Sequence, residues 1–240
     1  METSWSRTEI LIGLQGRARL AAARVAVIGT GGVGSFAVEG LARAGIGYLE
    51  LVDPDEVRPS NLNRQLAALH TTLGQPKVNV LARRCRDINP ELEVVARPES
   101  YSPDDRTRFI RPDLDYIVDA IDSVAAKVDL LATALQQGLR VVSSMGAGNR
   151  LDPSTLRVAD ISETYNCPLA RAVRRGLRSR GIVSGLKVVF STTPPLKQLA
   201  SLPEGRGRPP GSMVFVPACA GLLLASVVVK DLLADVSADQ

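Results

Sequence analysis

Gly29-Thr30-Gly31-Gly32-Val33-Gly34 forms a GxGxxG turn. Glycines at this spacing let the backbone turn tightly and approach a phosphate. A helix starting there offers that phosphate unpaired N–H groups and a positive dipole end. Asp53 follows about twenty residues on, where a carboxylate can accept hydrogen bonds from ribose hydroxyls. These features serve NAD and ATP equally. The next stretch, DPDEVRPSNLNRQ from Asp53 to Gln65, then Gln75-Pro76-Lys77, favours the triphosphate. A triphosphate carries about four charges, more than one helix end can offset, and calls for added cations. Arg64 supplies a bidentate fork and Lys77 a point charge. Asn61, Asn63 and Gln65 add amide groups, and Asp55 lies in the same stretch. Further on comes Asp119-Ala120-Ile121-Asp122-Ser123. A carboxylate at Asp122 can hold Mg²⁺ against phosphate oxygens, or it can cap the helix that follows. Asp119 sits nearer the strand, where a structural role is open. Arg64, Lys77 and Asp122 are the expected catalytic set, and Ser123 is counted with the nucleotide-binding residues.

These groups need elements to position them. Arg24 to Gly29 reads as a buried strand, Ser35 to Ala44 as a helix and Tyr48 to Val52 as a second strand. Asp53 to Gln75 reads as a functional loop with short helical pieces. A helix is expected from about Pro76 to Ile88, punctuated by Asn89-Pro90. Glu93 to Ala96, Tyr116 to Ala120 and Arg140 to Ser144 read as strands, with a helix from Ala125 to Gln137. Alternation of strand and helix implies right-handed βαβ units and a mostly parallel sheet with helices on both faces.

After Gly146 the texture changes, and a mixed C-terminal extension is expected. Val158 to Ile161 and Lys187 to Ser191 read as strands, and Pro168 to Arg180 as a basic helix. Thr193 to Gly211 is rich in Pro, Gly and Ser and reads as a mobile loop that could close over substrate. Met213 to Leu233 is expected to return to the core as a strand and a final helix. The chain thus reads as one domain over 1–240, with a nucleotide-binding core at 1–150 and a substrate or dimer segment at 151–240.

Composition sets outer limits. The 240 residues are 45% hydrophobic, enough for a sizeable core. The net charge of +4 permits an anionic partner without requiring one. Cys85, Cys167 and Cys219 are far apart with no CxxC pair, which argues against a structural zinc site and for a reducing cytoplasm. The polar start, Met1 to Ile10, has no signal-peptide core. The apolar run Met213 to Val229 is short for a membrane span and contains Pro217, Gly221 and Ser226, so a core role is expected.

Taken together, GTGGVG, VDPDEVRPSNLNRQ, GQPK and AIDS resemble the ThiF/MoeB/HesA superfamily of ubiquitin-activating-type adenylating enzymes. INPELEV, DYIVDAIDSVAAK, DISETYNCPLARAVRRGLRSRGI, KVVFST and GSMVFVPACAGLLLASVVV resemble its tRNA threonylcarbamoyladenosine dehydratase branch. The resemblance implies a Rossmann-like dimer that uses ATP and Mg²⁺ to activate a carboxylate. In this branch the acyl group is on tRNA and closes into a ring with loss of water. It implies that Gly29, Gly31, Gly32 and Gly34 line the phosphates and that Asp53 takes the ribose. Asn61, Arg64, Gln65 and Lys77 would surround the triphosphate, with Asp122 positioning Mg²⁺. Arg7 falls where the superfamily places an arginine reaching a partner subunit's nucleotide. A cysteine desulfurase or sulfur acceptor is a further partner it leaves open.

Departures are also visible. The zinc cysteines of many protein-activating relatives are missing, as is a thioester-forming cysteine. Cys167 stands where an acid is common, and Thr193 where a Glu is common.

Arg171, Arg174, Arg175 and Arg178 recur at spacings of three and four on the basic segment, which puts them on one helical side able to meet RNA phosphates. Three alternatives stay open: an adenylating enzyme for a ubiquitin-like or sulfur-carrier protein, an NAD-dependent oxidoreductase, and a non-catalytic ATP-binding module.

Overall fold

The computed structural model describes residues 3–199 and 210–238. Short β-branched and aliphatic runs become strands: β1 (Arg24–Ile28), β2 (Tyr48–Val52), β3 (Glu93–Arg97), β4 (Tyr116–Asp119), β5 (Val141–Ser144), β6 (Leu156–Asp160) and β7 (Lys187–Ser191). They form one seven-stranded sheet in the order β3-β2-β1-β4-β5-β7-β6. Every pairing is parallel except β6 with β7. The helices are α1 (Ser6–Ala22), α2 (Gly34–Ala44), α3 (Lys77–Ile88), α4 (Arg106–Phe109), α5 (Val124–Gln136), α6 (Pro168–Arg178) and α7 (Phe215–Ala238).

Alternate strand residues feed two cores. Val25 and Val27 join the cluster with α2, α3 and α7, while Ala26 and Ile28 join the one with α5 and α6. Both sheet faces are therefore covered, as a parallel sheet requires. The second half adds β6 and β7 to the same sheet. From β1 the order runs outward to β2 and β3 on one side and to β4 and β5 on the other. Such a reversal opens a crevice at the C-terminal strand ends, here between β1 and β4.

Two elements differ from expectation. The segment Met213 to Leu233 contains no strand; α7 runs as one helix of 24 residues. The sheet has no vacant place beside β7, which lies between β5 and β6. Pro217 sits in the first helical turn, where its missing N–H costs nothing. Val216, Ala220, Leu224, Val228 and Leu232 are all buried, at spacings of four. By length and composition α7 could cross a membrane, but half of its most apolar window is packed inside the protein.

The second difference is α1, which sequence periodicity did not reveal. Its buried residues are only Gly16 and Leu20, Gly13 interrupts it at φ +70°, and Ile10, Leu11 and Leu14 face outward. Of the loop expected over Thr193 to Gly211, residues 200–209 lie outside the described residues; the remainder is irregular.

Helix α7 packs closely on α2 through small residues. A Cβ at Gly221 would lie 2.2 Å from the Val33 carbonyl oxygen and 2.8 Å from Phe36 Cβ. Gly221→Ala is expected to lower stability by about 2–3 kcal/mol through overpacking. Urea unfolding should show a lower midpoint with an unchanged slope.

Candidate nucleotide and metal site

Gly29 ends β1 at φ +89°, and a Cβ there would stand 2.7 Å from the Ala120 carbonyl oxygen. A Cβ on Gly34 would fall 1.8 Å from the Gly29 carbonyl oxygen. The turn therefore lies flat against the end of β4 and drives α2 straight off the sheet edge. The N-cap residue Val33 makes no side-chain cap to α2, so, among the described residues, its dipole end is left open beside the crevice. Gly31 is different: a Cβ there would meet only Gln65 Nε2, at 3.7 Å. The space beside Gly31 suits a phosphate.

A cavity of about 710 Å³ occupies the crevice. Gly29, Gly31, Gly32, Asp53, Asp55, Asn61, Arg64, Gln65, Lys77, Asp122 and Ser123 all line it. Gly34 supports the turn from behind and is not among the lining residues. Asp53 is buried, and both its carboxylate oxygens are in use. The Thr30 N–H donates to Oδ2 at 2.6 Å and the Asp55 N–H to Oδ1 at 2.9 Å. Asp53 thus bolts the glycine turn to β2, and its remaining lone pairs can still accept ribose hydroxyls.

Lys77 is buried at the start of α3, with its Nζ 2.6 Å from Asp55 and 3.8 Å from Asp53. Arg64 donates to the Ser60 carbonyl at 2.7 Å and to Asn63 Oδ1 at 2.9 Å. Burial lowers its pKa from the ordinary arginine value, yet a guanidinium stays charged in a protein. Asn61 Oδ1 accepts the Arg58 N–H at 3.0 Å and so shapes the turn that delivers Arg64. Gln65 Oε1 is buried without a hydrogen-bond partner among the described residues. A buried acceptor without a partner beside the phosphate space is a group that a bound ligand or its water can satisfy.

Asp122 is exposed at the cavity rim. It does not cap α5: the N-cap position is Ser123, and no side chain bonds there. Among the described residues no three His, Cys, Asp or Glu side chains cluster to hold a metal. One rim carboxylate suits a Mg²⁺ bound largely through phosphate oxygens and water.

Beneath the rim Asp119 takes the structural role left open for it, with a partner, Lys127, that sequence reasoning missed. Lys127 and Asp119 are both fully buried, with Lys127 Nζ 2.5 Å from Asp119 Oδ2. The ammonium also donates to Ser143 Oγ at 3.2 Å and the Ser144 carbonyl at 3.1 Å. Ser143 Oγ donates to Asp119 Oδ2 at 2.6 Å, and Asp119 Oδ1 accepts the Ile121 N–H at 3.0 Å. The pair closes the β4–α5 turn that carries Asp122. Its available signal was a lysine eight residues after Asp119, in DAIDSVAAK.

Other expected residues lie elsewhere. Arg7 is exposed on α1, outside the cavity lining. Arg171, Arg175 and Arg178 are exposed on α6, but Arg174 bends back to the Thr164 carbonyl and hydroxyl. Cys167 is a buried packing residue at the α6 N-cap. Burial pushes the Cys85 thiol up to about 12, which leaves it inert.

The fold and cavity define an α/β protein with a crevice at the topological switch point of its sheet, of a shape and lining that suit a nucleotide. The chain belongs to the ThiF family, whose model matches residues 5–239. It is 43% identical to a Bacillus subtilis tRNA threonylcarbamoyladenosine dehydratase, across 97% of this chain and 95% of the relative. An Escherichia coli relative of the same name is 39% identical over 77% of this chain and 72% of its own length. The Escherichia coli tRNA N6-threonylcarbamoyladenosine dehydratase solved with ATP superposes at TM-score 0.90 and 33% identity, covering 99% of this chain and 96% of that one. Its AMP complex also superposes at TM-score 0.90.

Removing one partner of the buried pair leaves the other charged and unpaired. Lys127→Met is expected to cost about 3–5 kcal/mol of stability. Combining it with Asp119→Leu should recover much of that loss in a denaturant titration, because the orphaned charge goes too.

Proposed function

We propose that this protein is an ATP-dependent tRNA threonylcarbamoyladenosine dehydratase that activates the threonylcarbamoyl carboxylate and lets it close into a ring. The observation that carries this reading is the convergence of GTGGVG, VDPDEVRPSNLNRQ, GQPK and AIDS on one cavity, in a chain matched end to end by dehydratases. Missing zinc and thioester cysteines favour tRNA over a carrier protein, since ring closure within one acyl group needs no enzyme thiol.

The substrate carboxylate attacks the α-phosphate of ATP. The uncapped α2 N-terminus and Lys77 offset charge growing there, a preorganised electrostatic role. Lys77 is suited to it because burial beside Asp53 and Asp55 holds its ammonium in place. Arg64 turns from the Ser60 carbonyl to hold the departing pyrophosphate. Asp122 would hold Mg²⁺, which neutralises charge on the phosphate oxygens. A nitrogen or oxygen of the same threonylcarbamoyl group then displaces AMP. The AMP-bound relative supports AMP as the product.

The proposed partners are tRNA, a second copy of the chain and, on family likeness alone, a cysteine desulfurase or sulfur acceptor. Exposed Arg171, Arg175 and Arg178 support phosphate contacts. Exposed Ile10, Leu11 and Leu14 on α1 and Leu222 on α7 support self-association, which would bring Arg7 toward a partner's nucleotide. A cytoplasmic location follows from a tRNA substrate and from buried, unpaired thiols at Cys85 and Cys167.

The test is product analysis with tRNA bearing threonylcarbamoyladenosine. AMP should form with tRNA present, and ADP instead would overturn attack at the α-phosphate. Asp122→Ala should lose turnover with an unchanged melting temperature, because the residue is exposed; full activity would remove it from the site. Replacing Arg171, Arg175 and Arg178 with Ala should weaken tRNA binding and flatten its salt dependence by about one slope unit per lost phosphate contact. The ATP dissociation constant should not move.

A further inference from the structure

Asn63 lies beside Arg64 but is exposed and does not line the cavity. Its amide is used at both ends. Oδ1 accepts from Arg64 Nη1 at 2.9 Å, and Nδ2 donates to the Ser212 carbonyl at 2.9 Å. The amide can take only this orientation, since a guanidinium only donates and a carbonyl only accepts. Ser212 belongs to the leg Pro210–Ser212, which runs into α7, and Pro210 and Ser212 both line the nucleotide cavity.

The far side of this leg is held by a second asparagine. Asn149 adopts φ +57°, a left-handed conformation that Asn and Gly tolerate. Its Oδ1 accepts the Gly211 N–H at 2.6 Å, and its own N–H donates to the Gly211 carbonyl at 2.7 Å. A Cβ on neighbouring Gly148 would lie 2.6 Å from Pro210 Cβ, so the leg rests directly on the backbone after β5. The leg thus spans the cavity mouth from the loop after β2 to the loop after β5, with side-chain amides at each end. Arg64 is joined to it through one of them.

We infer that Asn63 and Asn149 are positioning residues that fix the Pro210–Ser212 leg as a wall of the nucleotide cavity, and that Asn63 couples this wall to Arg64. This rests on the reading of Arg64 as a phosphate ligand and of the reaction as passing through an activated carboxylate. A wall held in this register shields the activated carboxylate from water until the ring closes. Its loss should divert activated substrate to hydrolysis, so that ATP is consumed without product.

The experiment compares full-length wild type, Asn63→Ala, Asn149→Gly and the double variant, with Asn149→Asp as the conservative control. Asn149→Gly still permits the left-handed backbone while removing the side-chain amide and its acceptor. The readouts are the Mg-ATP dissociation constant by calorimetry and the AMP released per nucleoside dehydrated. The inference expects each single variant to raise that ratio several-fold while ATP affinity changes less than about threefold. It expects the double variant to be no worse than the poorer single, because both act through one wall, and Asn149→Asp to stay near wild type. An unchanged ratio in both singles, or effects that multiply, would overturn it. If wild type dehydrates no nucleoside, the proposed function fails instead. The wall is then read by amide hydrogen exchange of residues 211–216, which must quicken in both single variants; unchanged exchange overturns the inference.

Discussion

The site depends on one steric constraint: the turn after β1 passes too close to the end of β4 to admit a side chain. Gly29 presses on the Ala120 carbonyl, and Gly34 on the carbonyl of Gly29. This contact aims α2 into the crevice and sets the phosphate space beside Gly31. It also fixes the distance from that space to the turn carrying Asp122. A larger residue at either position would move the helix, and with it the dipole end that makes the crevice attractive to anions. The switch point of the sheet supplies the crevice; the glycine contact shapes it to suit a phosphate.

Charge is arranged around this contact in two layers. The inner layer is neutralised within the protein: Asp119 is matched by Lys127, and Asp53 is held by backbone N–H groups. The outer layer is left for ligand. Asp122 stands at the rim, Gln65 Oε1 lacks a partner, and Arg64 rests on neutral oxygens. Buried pairs add little net stability over apolar packing, so the inner layer is better understood as holding the β4–α5 turn in a single geometry. The outer groups are then free to be reorganised by a triphosphate without disturbing the fold.

Local pattern carried much of this into the sequence. The β1–β5 strands and the α2, α3, α5 and α6 helices follow β-branched runs, helical spacing and Gly or Pro punctuation, all within short windows. The cavity-lining residues were legible because the motifs fall in the segments that follow β1, β2 and β4, neighbours bordering one crevice. What stayed hidden was long-range. The partnership of Lys127 with Asp119 depends on β5 contributing Ser143 and Ser144. Arg174 looked like its neighbours Arg171 and Arg175 until Thr164 came within reach. Helix α1 lacks an amphipathic stripe because Ile10, Leu11 and Leu14 face outward. The strand expected near Met213 failed because an apolar run does not tell strand from helix; the occupied sheet decides it.

The measurement that bears most directly on the central claim is mass analysis of nucleosides from tRNA carrying threonylcarbamoyladenosine, after incubation with the protein, Mg²⁺ and ATP. The account predicts a new nucleoside lighter by the mass of a water and absent when ATP is left out. Protein shown to bind ATP that leaves the nucleoside mass unchanged would contradict it, and would shift the function toward a carrier-protein substrate.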